Sequence, residues 1–322
     1  MAPSDESMLD APSTNSPPDD SLSDASDSPF HAFLDNFPLP SPDEGSIPIM
    51  VNSCTGKMAS SVIIETLFHE LYIIPVSFGS EAMSGQTYDI SSKKFYMQGP
   101  SNREIVLQHL LAKYPDMIVV DYTLSAALDA NVELYCKFGV PFVLGTNGGN
   151  RDLMLKTIQN SQSYALVSSQ MGKQTVAFLG VLEYMSSRFP GMFAGYTLQV
   201  KESLDESKAK SLITMKAASV FFKRLGVAIN MNQVESLRDP IQQRDVVEIK
   251  EEHLSCHEYY VFHLTSSDKM AHFEFQIKVS GRSMYAESTI DAVKFLNKKI
   301  KERHGKKLYN MLDVLRECEQ VI

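Results

Sequence analysis

Ile47-Pro48-Ile49-Met50-Val51-Asn52-Ser53-Cys54-Thr55-Gly56-Lys57-Met58 decides the architecture. Apolar residues crowd positions 47–51, a turn with one glycine follows, and Val62, Ile63, Thr66, Leu67 and Leu71 then recur at helical spacing. Strand, glycine turn and helix together open a βαβ unit. A turn in this place can cradle a pyrophosphate on the N–H groups of the helix start, and glycines let the phosphates approach the backbone. Ser53 and Ala59 stand three residues to either side of Gly56. Alanine is tolerated at the last position; serine at the first would cost about 1–2 kcal/mol in a left-handed backbone. No acid closes the second strand (Ser77, Phe78, Gly79) to hold a ribose hydroxyl. Taken alone, the loop fits an ordinary strand-to-helix turn nearly as well.

The pattern repeats outward. Residues 73–78 read as a strand, 103–114 as a helix, 117–120 as a strand ending in Asp121-Tyr122-Thr123, and 126–138 as a helix. A strand at 140–144 closes with Gly145-Thr146-Asn147-Gly148-Gly149. This alternation predicts an α/β, Rossmann-like, doubly wound parallel sheet. After a strand at 164–168 come helices at 173–189 and 208–225 and strands at 197–201, 258–264 and 271–279. In the last of these, Phe273, Phe275, Ile277 and Val279 alternate with His272, Glu274, Gln276 and Lys278, so one face is buried and one polar. The expected division is an acidic, disordered segment (1–46), a dinucleotide-binding-type domain (47–170 and 286–322) and an inserted α+β unit for substrate and oligomerisation (171–285).

Composition narrows the class. No apolar run reaches the ~18 residues of a membrane span. The chain of 322 residues carries a net charge of −9, but residues 1–48 hold ten acids and no Lys or Arg. The remainder is close to neutral and offers no nucleic-acid footprint. Ser, Pro and Asp dominate the start, a composition that cannot bury enough apolar surface to offset ordering entropy. Its acidity and lack of arginine are unlike a transit peptide, so a cytoplasmic location is expected. Phe30, Phe33, Leu34, Phe37 and Leu39 form an apolar cluster that suits either docking to a partner or leading into the first strand. The scattered cysteines (54, 136, 256 and 318) and the eight histidines show no metal-ligand spacing, so no metal is expected.

Longer stretches carry a resemblance. Residues 49–58, Val119-Val120-Asp121-Tyr122-Thr123, the run from Gly139 to Thr146, Gln170-Met171-Gly172-Lys173-Gln174, Arg238-Asp239-Pro240, the run from Gly281 to Glu287 and the run from Tyr309 to Glu317 resemble the plant-type dihydrodipicolinate reductases over roughly residues 47–318. These enzymes reduce 4-hydroxy-tetrahydrodipicolinate with NADH or NADPH on the diaminopimelate route to lysine. The resemblance implies cofactor contacts from Asn52, Thr55, Gly56, Lys57, Met58, Asp121, Thr123, Gly145 and Asn147. It implies substrate contacts from Thr214, Lys210, Gly145 and Thr146, and a catalytic Lys208. It also implies a homo-oligomer, for which the sheet face with Phe273, Phe275 and Ile277 is the expected contact.

One segment departs from the family pattern. Where members carry a catalytic histidine, this chain has Leu204; an aspartate gives way to Lys210, and Ser-Gly of the carboxylate-gripping helix start becomes Leu212-Ile213. Losing a general acid or base costs about 100- to 10,000-fold in rate, so activity on the dicarboxylate is expected to be very low. The leading expectation is a diverged homologue remodelled for another small ligand or reaction. The alternatives are a non-catalytic binding or scaffold protein and a reductase that still works.

Overall fold

The computed structural model describes residues 39–204, 213–230 and 234–318. The expected parallel sheet is present. Strands β1 (Ile49–Asn52), β5 (Ile118–Asp121), β6 (Phe142–Leu144), β7 (Ala165–Val167) and β12 (Leu308–Tyr309) pair in that order, all parallel. On the other side of β1, a bridge between Ile49 and Ile73 leads to β2 (Val76–Phe78). Beside β2 lie β4 (Lys93–Gln98) and then β3 (Thr87–Ile90). Strand order thus reverses direction at β1, the place where α/β sheets bind ligands beyond the strand C-termini.

β1, β5, β6 and β7 are buried throughout, the reason their sequences read as continuous apolar runs rather than alternating ones. Helices α1 (Lys57–Phe68), α2 (Arg103–Lys113), α3 (Ser125–Phe138) and α4 (Arg151–Gln159) follow successive strands. α3 stops at Gly139, whose φ of 67° is a left-handed C-cap. The β3–β4 hairpin lies between Phe78 and Arg103, where the sequence pattern assigned no element.

The second sheet follows α5 (Lys173–Arg188). Its order is β11 (His272–Ser280), β10 (His257–Thr265), β8 (Thr197–Leu204), β9 (Glu235–Leu237). β8 continues three residues past the predicted end at 201, because Leu204 pairs with Glu258. α6 (Ile213–Arg224) covers one face, burying Phe222 against Phe262 and Tyr260. Phe275 and Ile277 point to that same side: Phe275 packs edge-on against Phe222 and Ile277 is buried. Phe275 and Ile277 of the expected contact face are thus taken up by the protein's own packing, while Phe273 stays exposed beside Phe193 and Tyr196. What stays open is the opposite face with His272, Glu274 and Gln276.

α8 (Ser283–Lys301), after the short helix α7 (Pro240–Asp245), returns the chain to the first sheet, and α9 (Met311–Cys318) ends it. α8 is fixed to the start of α5 by Lys173, whose ammonium reaches Glu287 at 2.8 Å and Asp291 at 2.6 Å. Desolvation opposes the charge there, but the two carboxylates outweigh it and hold Lys173 above the ordinary lysine range. Residues 39–46, assigned above to the acidic segment, pack on the body: Leu39 is buried and the Pro40 carbonyl accepts from Tyr72 and Tyr114. Phe30, Phe33, Leu34 and Phe37 lie outside the described residues.

Candidate functional site

The floor of the site is a buried polar network beneath the loops of β1, β5 and β6. Asp121, fully buried, accepts from the Thr123 amide (2.7 Å) and hydroxyl (2.6 Å), from Asn131 Nδ2 (3.0 Å) and from the Tyr135 hydroxyl (2.5 Å). Asn52 donates to the Tyr135 oxygen at 2.6 Å and accepts from the Phe78 amide at 2.9 Å. Burial, and then the Asp121 carboxylate, push the Tyr135 phenol well above its usual range. The resemblance implied cofactor contacts from Asn52 and Asp121. Both side chains are wholly enclosed with their polar atoms engaged, so they brace the loops and present no free side-chain atom to the cleft. Thr123 is nearly buried in the same network.

Above the floor, the β1–α1 loop has the strain anticipated at Ser53, which takes φ +58°. The Gly56 amide donates to the Ser53 carbonyl at 2.7 Å, closing the turn. α1 starts at Gly56 with no side-chain cap and no acid in its first turn, and Thr55 and Lys57 are exposed. An uncapped helix start of this kind presents free N–H groups and the positive end of the helix dipole to an anion. Glu81, just beyond the position where an acid was sought, accepts from the Ser101 amide at 3.1 Å.

Gly145 opens the β6–α4 loop. A Cβ here would sit 2.3 Å from the Tyr122 ring, so only glycine fits. Tyr122 donates to the Thr289 hydroxyl on α8 (2.7 Å), which itself donates to the Tyr285 carbonyl. Burial pushes the Tyr122 phenol up to about 12, against the smaller opposing effect of that bond. Thr146 donates to the Thr123 carbonyl at 2.8 Å, and Asn147 to the Ser169 carbonyl at 3.1 Å.

These loops and the second sheet enclose two adjoining clefts. The smaller, of about 220 Å³, is lined by Met58, Tyr122, Gly145, Glu258, Arg282 and Tyr285, among others. The larger, of about 620 Å³, has Thr146, Gly148, Arg151, Ser168 and Lys216 in its walls. Asn147, Ser169 and Ile213 line both. Structure thus gathers Met58, Gly145, Thr146 and Asn147 from the residues singled out in the sequence. Thr214 lies one residue from the shared wall but is fully buried, its hydroxyl accepting from Gln170 at 3.3 Å. Lys208, Lys210 and Leu212 lie outside the described residues.

Leu204 is buried in the apolar cluster with Met215, Phe222 and Tyr260. His257 does not substitute for a histidine there: buried with Ser203, its Nε2 meets the Ser203 hydroxyl at 2.8 Å, and its Nδ1 meets the Leu254 carbonyl at 3.0 Å. Sequence reasoning missed Glu258, Arg282 and Tyr285 as wall residues. The runs around Gln170 and Arg282 were noticed as motifs and given no role, and Glu258 carried no signal because cross-sheet placement alone brings it to the cleft. Among the described residues no cluster of three or more metal-ligating side chains occurs.

Residues 47–171 match the family "Dihydrodipicolinate reductase, N-terminus". The chain is 51% identical over 271 residues to 4-hydroxy-tetrahydrodipicolinate reductase 2, chloroplastic, of Arabidopsis thaliana, an alignment covering 84% of this chain and 78% of that protein. It is 49% identical over 276 residues to the probable 4-hydroxy-tetrahydrodipicolinate reductase 1, chloroplastic, of Oryza sativa subsp. japonica, covering 86% and 80%. A dipicolinate-bound dihydrodipicolinate reductase from Paenisporosarcina sp. TG-14 shares the fold, with a TM-score of 0.56 at 12% identity over 82% of this chain and 97% of that one. The chain belongs to the 4-hydroxy-tetrahydrodipicolinate reductase family.

Proposed function

We propose that this chain is a nicotinamide-dinucleotide-binding member of the family whose ligand wall has been rebuilt, so that it no longer reduces the family's dicarboxylate and serves another small ligand or reaction. The observation that carries this reading is Ile213, a branched apolar side chain in the wall shared by both clefts. A carboxylate that must lie against the backbone of a helix start is excluded by that bulk, and Leu212 carries no hydroxyl where the family pattern has serine. Leu204 adds to the case, because an apolar side chain sealed in a core can neither give nor take a proton.

The dinucleotide side fits its group. Thr55, Gly56, Lys57 and Met58 would hold the pyrophosphate on the uncapped start of α1, and Gly145 and Asn147 would meet the nicotinamide end. Bound there, the cofactor supplies a hydride. The engaged network of Asn52, Asp121 and Tyr135 keeps those loops in place. Calorimetric titration of the purified chain with NADPH and NADH tests this half, with micromolar binding expected and no binding to either counting against it. A variant with Leu204→His, Leu212→Ser and Ile213→Gly tests the other half: reductase activity in the variant and none in the parent is the expected pair.

Identity of about half to named reductases favours a second reading, a working reductase. Rescue of a diaminopimelate-requiring bacterium by the parent chain would establish it. Self-association through the open polar face of β10 and β11 belongs to the same proposal, and sedimentation of the purified chain measures it. So does the expected cytoplasmic location; since the relatives' names say chloroplastic, imaging of a carboxyl-terminal fluorescent fusion decides the compartment.

A further inference from the structure

We propose that the smaller cleft selects a zwitterion, a ring-sized molecule with one ammonium and one carboxylate, and that Glu258 is the residue that imposes this choice. The inference rests on the reading above that the family's dicarboxylate is no longer the ligand, and it names the class that replaces it.

Among the described residues two charged side chains line this cleft, Glu258 and Arg282. Tyr285 donates to Glu258 Oε2 at 2.6 Å and Gln170 to the same oxygen at 3.5 Å, and among the described residues Oε1 has no hydrogen-bond partner. Burial and then Glu258 itself raise the Tyr285 phenol, which keeps it the donor of that bond. Arg282 gives one N–H to the Ser255 carbonyl at 3.2 Å, leaving other guanidinium donors available. Among the described residues neither Glu258 nor Arg282 has an ion-pair partner, so the cleft offers one acceptor-only charge and one donor-only charge.

The rest of the wall is neutral, with Met58, Tyr122 and Ile213 supplying apolar surface for a ring. A volume of about 220 Å³ holds one small ring compound and little more. A dianion would set a second carboxylate against Glu258 with, among the described lining residues, one arginine to serve both. Like-charge juxtaposition of that kind selects against a ligand, as effectively as a new contact selects for one. A zwitterion satisfies both charges at once.

Calorimetry on the full chain, with saturating NADPH and without it, provides the test, using pipecolate as the zwitterionic six-membered ring and dipicolinate as the dianionic one. The unaltered chain is expected to bind pipecolate about tenfold or more tighter than dipicolinate, a ratio that needs no variant. Glu258→Gln keeps the shape and an acceptor for Tyr285, and is expected to shift the ratio about tenfold or more toward dipicolinate. Tighter dipicolinate binding by the unaltered chain, an unchanged ratio in a folded Glu258→Gln, or no binding of either probe to either chain overturns the inference. Turnover of the family's substrate would strike the proposed function itself. An inert chain that still prefers dipicolinate would strike this inference alone.

Discussion

The two walls of the cleft use their polar atoms in opposite ways. On the floor, beneath the loops of β1, β5 and β6, Asp121 accepts four hydrogen bonds and Asn52 serves both Tyr135 and the Phe78 amide. On the facing wall, the end of β8 and the start of α6 offer Leu204 in an apolar core and Ile213 in the cleft. A buried polar network cannot be dismantled piecemeal, because each partner left behind keeps its desolvation penalty. A polar wall open to solvent can turn apolar with no such penalty. The contrast is the physical basis of the proposal that one half of the site is retained while the other is rebuilt.

That contrast can be broken or sharpened by substitution. Asp121→Ala strips four donors of their acceptor and is expected to cost about 3–5 kcal/mol of stability, read from urea unfolding; a loss below ~1 kcal/mol would mean that the floor is not a unit. Alkaline pH gives a second, somewhat smaller effect. The Tyr122 phenol is held neutral to about 12 in the folded chain against 10.0 otherwise, so its contribution is complete below pH 10 and is lost as pH rises toward 12. The loss is about 2–3 kcal/mol, and Tyr122→Phe should flatten that part of the stability curve.

Gly145→Ala drives a methyl into the Tyr122 ring and is expected to cost about 1–3 kcal/mol by overpacking, together with weaker dinucleotide binding in the same titration. Ser53→Gly works in the other direction. Relieving a left-handed φ of +58° should stabilise the chain by about 1 kcal/mol, seen as a higher urea midpoint; a destabilised variant would show that the serine hydroxyl matters more than the backbone strain.

Much of this was legible in the sequence, for reasons that differ by region. β1, β5 and β6 announced themselves because strands buried on both faces read as unbroken apolar runs, and the glycines of 145–149 marked the loop that follows. The strain at Ser53 followed from the glycine pattern alone. The β3–β4 hairpin was silent because its turn is Ser91-Ser92, with Ser91 at φ +55°. Such turns usually advertise themselves through Asn-Gly or Asp-Gly, and two serines do not. Phe273, Phe275 and Ile277 revealed which residues share a face but not what covers it, since periodicity is blind to the partner element. Asn52 and Asp121 were located correctly at the strand ends, but the enclosure of their side chains was not legible, because it depends on Tyr135 and Asn131 from a helix ten or more positions away. Glu258 and Arg282 come to the same cleft only through the return of the chain into α8, and no local pattern encodes that.

The most direct measurement is the steady-state rate of 4-hydroxy-tetrahydrodipicolinate reduction, followed by loss of reduced nicotinamide absorbance, for this chain beside a working member of the family. A rate lower by about 100-fold or more, from a chain that binds NADPH, is the predicted result. A rate within about tenfold of the relative's would contradict the claim that Leu204 and Ile213 have closed the old chemistry.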